Sequence, residues 1–414
     1  MGNRPAQHAN PPLSGINVLD LTNVISGPYC CFHLGLMGAA VLKVEQPAGG
    51  DMGRRLGAGA ELKELDMGSL FLAQNAGKRS MTLNLKHPRG RDVFLRLARQ
   101  ADVLVENFRP GVMSRLGLDY ETLREHNAGL VYCSISGFGQ ESPLKDNPAF
   151  DQIVQGLSGA MGTTGTVASG PLRAGYPISD TVGGLNAAFA ISSALLAREK
   201  TRSGGDTGGG QFIDVSLLDA TMSAMGWAVS NVLISGEASE RVGNDNFAVS
   251  PSGSFQARDI SLNIAANTQQ QYERLCTALG REELIADQRF AGGEERLKNR
   301  AALKAELEQA LGEKAAEEWV ELLNRAGVPA GLVLDVPQAL QQPHITSGGF
   351  VQTLRDVPGL GRDIEVLTSG YRLPGAAPLL ERPPPLLGAH TDQVLEELGY
   401  SAGDITGFRE DGVI

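Results

Sequence analysis

The chain is short of most side chains that signal a specialised chemistry. Its four cysteines, Cys30, Cys31, Cys133 and Cys276, form no CxxC pair and no metal-ligand spacing, so neither a disulfide scaffold nor a zinc site organises the fold. Buried thiols are expected instead. Six histidines, His8, His33, His87, His126, His344 and His390, are scattered without an HxxxH or HxE pattern, leaving a metal centre without support. Positive charge is in deficit. With 36 Lys and Arg against 47 Asp and Glu the net charge is −11, which excludes a broad nucleic-acid face and leaves an anionic ligand to find a local basic pocket. No run reaches the ~18–20 uninterrupted apolar residues of a membrane span, so no membrane partner is expected. GxGxxG is missing after the first strand, where Asn23-Val-Ile-Ser-Gly-Pro28 stands, and GxxxxGK[ST] is missing throughout. Neither a dinucleotide nor an ATP-type phosphate loop is signalled.

What is present is glycine, 52 residues of 414 or about 13% against an average near ~7%. Many glycines flank short apolar stretches, as tight strand-to-helix turns require. A composition 42% hydrophobic and 20% charged is that of a folded enzyme-sized protein, and this length exceeds the ~250–300 residues at which single cores stop growing. Two domains are expected. Residues 1–12 are polar with three prolines and read as a flexible tail without a targeting signal, so the expected location is the cytoplasm.

Strand and helix signals alternate along the first half. Gly15–Asp20, Ala40–Glu45, Ser80–Leu85, Asp102–Glu106 and Val131–Ile135 read as strands, and Tyr29–Leu36 and Pro88–Gln100 as helices. This order predicts an α/β fold on a mostly parallel sheet, with ligands beyond the carboxyl ends of its strands. Residues 201–211 read as a flexible connection, 217–234 as helical and 236–246 as loop. Ser261–Ala265 is strand-like, while Gln269–Leu311 and Lys314–Arg325 are charged and amphipathic. Residues 226–330 are thus expected to form a smaller domain. Leu380–Leu387 is a proline-rich spacer before a last helix at Thr391–Leu398.

Within Pro177–Gly184 one carboxylate, Asp180, precedes two glycines, Gly183 and Gly184, and the small-residue apolar run Leu185–Ala197. At the mouth of a helix such a group meets unpaired N–H groups and is expected to stay ionised. On spacing alone the same pattern suits a plain helix cap.

Several stretches together resemble the class III CoA-transferase family from about Pro12 onward. They are Pro12–Asp20, Leu42–Glu45 with Gly50-Asp51, Gly77–Ser80, Val105–Gly111, Asp180 with its glycines, Gly210–Asp219 and Leu387–Asp392. Each is weak alone, but their order and spacing are specific. The resemblance implies an interlocked homodimer. Each chain would have a doubly wound, Rossmann-like large domain, 13–225 with 331–414, and a small α+β domain, 226–330. It places the catalytic carboxylate on Asp180. CoA contacts fall on Ser26, Asn107, Phe108, Arg115 and Lys145, with Lys78 and Arg79 near the nucleotide. Arg173, Gly183 and Gly184 are the expected substrate neighbours. No permanent cofactor is implied, because CoA thioesters enter as substrates alongside a small carboxylic acid.

Moving CoA between acids without ATP needs a covalent relay, for which Asp180 would form an acyl anhydride and then an aspartyl-CoA thioester. Oxyanion donors are expected either from the N–H groups of Thr181–Gly184 or from the Ser26-Gly27 loop. Glu45, Asp51, Asp151 and His33 are expected to be structural. The family also contains 2-methylacyl-CoA racemases, which use a histidine directly before an aspartate; Phe150 holds that place before Asp151, so transferase ranks above racemase. A non-catalytic CoA-binding protein is the remaining alternative. Succinyl-CoA is the expected donor, with a dicarboxylate or analogue such as itaconate, malate, citramalate or 3-sulfinopropionate as acceptor.

Overall fold

A computed structural model describes residues 10–204, 208–238, 240–373, 380 and 382–414. In chain order the first elements are β1 (Asn17–Asp20), α1 (Ser26–Leu36), β2 (Ala40–Glu45), β3 (Arg79–Thr82), α2 (Pro88–Gln100), β4 (Val103–Glu106) and β5 (Val131–Ser136). They continue with α3 (Asp151–Leu157), α4 (Ile178–Ser203), β6 (Gln211–Ser216) and α5 (Leu217–Met225). The six strands form one parallel sheet in the order β3-β2-β1-β4-β5-β6, the doubly wound arrangement. The strand order reverses between β1 and β4. The loops leaving these two strands open a crevice at the carboxyl end of the sheet, where such folds bind ligands.

Both sheet faces are covered, which is why β4 and β5 are buried at every position and read as nearly continuous apolar runs. One face, with Leu19, Val44, Leu104 and Tyr132, packs on Val93, Phe94 and Leu97 of α2 and on the C-terminal helices Thr391–Glu397 and Ala402–Glu410. Pro88 starts α2 at a position whose N–H has no helical partner, and His87 caps it by accepting from Arg89 N at 3.2 Å. The other face, with Val18, Val41, Val103, Val131 and Cys133, packs on Cys30, Cys31 and Leu34 of α1 and on Ala187, Ile191 and Leu195 of α4. All four cysteines are buried free thiols.

Gly183 and Gly184 are helical and buried, so they serve packing rather than substrate approach. A Cβ at Gly184 would stand 2.5 Å from the Ser26 carbonyl oxygen, and one at Gly183 would stand 2.2 Å from a methyl of Leu217. The first obstacle is backbone and cannot rotate away. Gly184→Ala is therefore expected to destabilise by about 1–3 kcal/mol and Gly183→Ala by less, read as shifts in urea midpoint at constant m-value.

The chain folds into two compact units. The first takes the described residues up to Ser158, Gly175–Met225 and those from His344 on; the second takes Gly159–Ala174 and Gly226–Pro343. Residues 159–174 and 331–343 thus lie with the second unit, outside the expected 226–330. That unit has a three-stranded antiparallel sheet of β7 (Ser252–Gln256), β8 (Ser261–Ala265) and β9 (Ala330–Leu332) in the order β9-β8-β7. Its apolar face packs on helices Gln269–Leu279, Arg300–Leu311 and Ala316–Arg325, with Trp319 and Phe290 in the core. The helical stretch expected at 217–234 is broken at Gly226, where φ is +38°.

α4 has the length and hydropathy of a membrane span although no uninterrupted apolar run suggested one. Its Ala187, Ile191 and Leu195 face is packed in the sheet core, while Leu185, Phe189 and Leu196 are exposed.

Candidate active site

Asp180 is the third residue of α4, not its cap; Pro177 holds the cap position and supplies no side-chain bond. Capping falls to Asp151, the first residue of α3. Its Oδ1 accepts from Ser179 N at 2.8 Å and Asp180 N at 3.4 Å, and its Oδ2 accepts from Gln155 Nε2 at 2.6 Å. The positive end of α4 is thereby spent on Asp151. Among the described residues no donor bonds the Asp180 carboxylate, and burial, with the nearby Asp151 charge, pushes it up to about 7. This corrects the expectation of a fully ionised aspartate. At its first turn α4 presents a carboxylate that is weakly hydrated and basic for its type, as a nucleophile requires.

A reaction that uses the Asp180 anion is expected to slow about tenfold per pH unit below 7 and to level off above it. A kcat/KM profile between pH 5 and 9 measures this.

The N–H groups of Thr181–Gly184 are not free for an oxyanion. Thr181 N is bonded to the Pro177 carbonyl at 3.0 Å, and the next three lie in the helical ladder. Opposite them is the start of α1. Gly184 lies one turn from Asp180 on the same helix face, and this face meets Ser26 and Tyr29 of α1. Ile25 gives α1 no side-chain cap, and among the described residues Ser26 N and Gly27 N have no acceptor. Pro28 has no N–H. The first turn of α1 therefore holds uncommitted donors beside the face that carries Asp180.

The turn from β1 into α1 is held by buried ions. Lys43 of β2 donates to the Thr22 carbonyl at 2.7 Å and pairs with Asp51 at 2.9 Å; Lys78 pairs with Asp20 at 2.8 Å; Arg54 meets both oxygens of Glu45 at 2.7 Å. Burial opposes charge on Asp20 and Asp51, but the lysines hold both carboxyls below their ordinary value. Lys78 is thus corrected from a nucleotide contact to an interior cation, its ammonium also bonded to Asn75 Oδ1 and the Pro28 carbonyl. Arg79 lies on the α2 side of the sheet and forks onto Glu397, away from the crevice. These roles escaped the sequence reading, although Lys43 and Glu45 interrupting an apolar strand were a signal for them.

Asn107 and Phe108 follow β4 at the crevice. Asn107 bonds the backbone of Asn23 through both ends of its carboxamide, and Phe108 N donates to Glu106 Oε2 at 2.8 Å. Burial lifts Glu106 to about 7, against hydrogen bonds from Ser134 and Phe108 and helped by Asp214. Arg115, on the short helix Val112–Leu116, and Lys145 are exposed. Ser26 is buried at the first position of α1. Arg173 belongs to the second unit, exposed, with Nε donating to the Ala174 carbonyl at 3.1 Å. His33 is packed edge-on to Tyr29, 4.5 Å between ring centres. No cluster of metal-ligating side chains occurs among the described residues.

Residues 13–391 match the family described as CoA-transferase family III. The acetyl-CoA:oxalate CoA-transferase of Acetobacter aceti is 40% identical over 90% of this chain and 94% of its own. Human succinyl-CoA:glutarate CoA-transferase is 33% identical over 95% of this chain and 88% of its own. A crystal structure of a CAIB/BAIF family protein from Brucella suis superposes with a TM-score of 0.81 at 33% identity, covering 94% of this chain and all of that one.

Proposed function

The chain belongs to CoA-transferase family III and is a CoA-transferase, and from that premise we propose that it moves CoA from succinyl-CoA to a small dicarboxylic acid through Asp180. The observation that carries the mechanism is the Asp180 carboxylate, unbonded and lifted to about 7 at the first turn of α4. Its oxygen attacks the donor thioester carbonyl, the C–S bond breaks, and a mixed anhydride and CoA thiolate form. The thiolate attacks the Asp180 carbonyl carbon and expels the donor as a free carboxylate, leaving an aspartyl-CoA thioester. The acceptor carboxylate then attacks that thioester, again giving an anhydride and thiolate. Attack of the thiolate on the acceptor carbonyl delivers the new CoA ester and returns Asp180 as carboxylate.

Each tetrahedral step places negative charge on an oxygen beside Asp180, and the free Ser26 and Gly27 amides are the donors for it. Arg115 and Lys145, both exposed and outside the buried ion network, are the cations for the CoA phosphates, with Phe108 beside the pantetheine arm.

The acceptor class follows the relatives, whose names include oxalate, glutarate, mesaconate and malate beside succinyl-CoA or acetyl-CoA donors. The working form is an interlocked homodimer in which a second copy covers Leu185, Phe189 and Leu196 of α4. Phe150, at the cap of α3, offers no proton-transfer group for a racemase. The test is mass-spectrometric analysis of products from succinyl-CoA and a panel of dicarboxylic acids. New CoA esters with release of succinate are expected; no exchange with any acid would overturn the proposal.

A further inference from the structure

Five consecutive backbone polar groups in the β1–α1 turn are bonded by side chains rather than by backbone. Thr22 N donates to Asp20 Oδ1, and the Thr22 carbonyl accepts from Lys43 Nζ. Asn23 N donates to Asn107 Oδ1 at 2.8 Å, and the Asn23 carbonyl accepts from Asn107 Nδ2 at 2.8 Å. Val24 N donates to Asp51 Oδ1 at 2.9 Å. The turn also closes on itself, because a Cβ at Gly27 would stand 2.3 Å from Thr22 Cβ.

Inside this clamp Val24 has φ +69°, in the left-handed region that β-branched residues very rarely occupy. Strain of this kind persists only where the surroundings over-determine the backbone. Asn107 is the one member that grips the turn from across the switch crevice, 84 residues away in sequence and with both ends of its carboxamide on one residue's backbone.

We infer that Asn107 is a positioning residue, locking the turn with Val24 in its strained conformation and thereby setting the first turn of α1 against the Asp180-bearing face of α4. Its effect on the reaction rests on the proposed CoA transfer, whereas the clamp itself does not. Asn107 then acts through the turn and not as a direct contact for CoA.

The discriminating pair is Asn107→Ala alone and Asn107→Ala with Val24→Gly, since glycine holds a positive φ without strain. Asn107→Ala is expected to lower kcat about 10- to 100-fold with KM for acyl-CoA within about threefold of the unaltered enzyme. Adding Val24→Gly should recover most of the lost kcat. Hydrogen exchange gives a readout independent of activity: the bonded amides of Val24 and Tyr29 should exchange at least about tenfold faster in Asn107→Ala and regain protection in the double variant. Asn107→Asp, which keeps the acceptor for Asn23 N, should fall between and serves if the alanine variant does not fold. A raised KM with kcat kept would make Asn107 a ligand contact and overturn the inference. So would a double variant no better than the single one, or unchanged exchange in the turn. Loss of CoA transfer in every form, the unaltered enzyme included, with the exchange pattern as stated, would sink the proposed reaction and leave the clamp standing.

Discussion

Asp180→Ala is expected to abolish CoA transfer, with kcat lower by at least about 10⁴-fold, because no other carboxylate takes over the covalent relay. Glu45, Asp20 and Asp51 are locked in buried ion pairs, and Asp151 is engaged as the cap of α4. After incubation with succinyl-CoA alone, intact-protein mass spectrometry should find a CoA adduct on the unaltered enzyme and none on the variant. An adduct elsewhere, or residual turnover above that bound, would remove Asp180 from the mechanism. Stability offers a second reading of the same residue. A carboxyl raised from 3.8 to about 7 on folding binds its proton more tightly in the folded chain, so stability declines as pH rises from 3.8 toward 7. Asp180→Asn removes that titration. The variant should melt higher than the unaltered protein at pH 8, and the gain should vanish near pH 4. The site thus trades stability for a reactive anion.

Lys78→Met carries the largest expected loss of stability. It leaves the fully buried Asp20 with Lys43, 3.8 Å away, as its remaining cation, and takes the donor from Asn75 Oδ1. Removing one partner of a buried ion pair costs about 3–5 kcal/mol. Arg79→Met is the control one residue along: its bond to Glu397 is partly exposed and contributes about 0–1 kcal/mol. Denaturant midpoints should separate the two variants, and calorimetric CoA affinity of whatever remains folded should be unchanged in both. A stable Lys78→Met protein with weakened CoA binding would restore Lys78 as a ligand contact.

The neighbouring lysine and arginine show where the sequence was legible and where it was not. Strands with uniform apolar runs, such as Val103-Leu-Val-Glu106, were readable because burial on both faces leaves no alternation to confuse. The helix Pro88–Gln100 was legible from its starting proline and its apolar stripe. β6 was not read as a strand, since Gln211-Phe-Ile-Asp-Val-Ser216 mixes an amide, an acid and a hydroxyl into an edge position. Asp180 stood out by position, but its protonation depends on Asp151, 29 residues earlier, reaching the amides of α4 first. Gly183 and Gly184 read as room for a ligand because a missing side chain does not say what fills its place. Leu217 and the Ser26 carbonyl do. Lys78 followed by Arg79 looks like one basic patch, yet Lys78 turns inward to Asp20 while Arg79, the first residue of β3, reaches Glu397 on the opposite face.

The C-terminal helices carry a consequence for how the chain is made. Val394, Leu395, Ile405, Phe408 and Val413 fill the core over α2, and Asn84 bonds both the Val413 carbonyl and that of Gly412, 328 residues away. The earliest strands leave the ribosome long before the residues that roof them. At usual elongation rates the half-built sheet waits roughly 20–60 s with one face bare. Chaperone shelter during synthesis and intolerance of C-terminal truncation are thus written into the same topology. The last stitch closes the first seam.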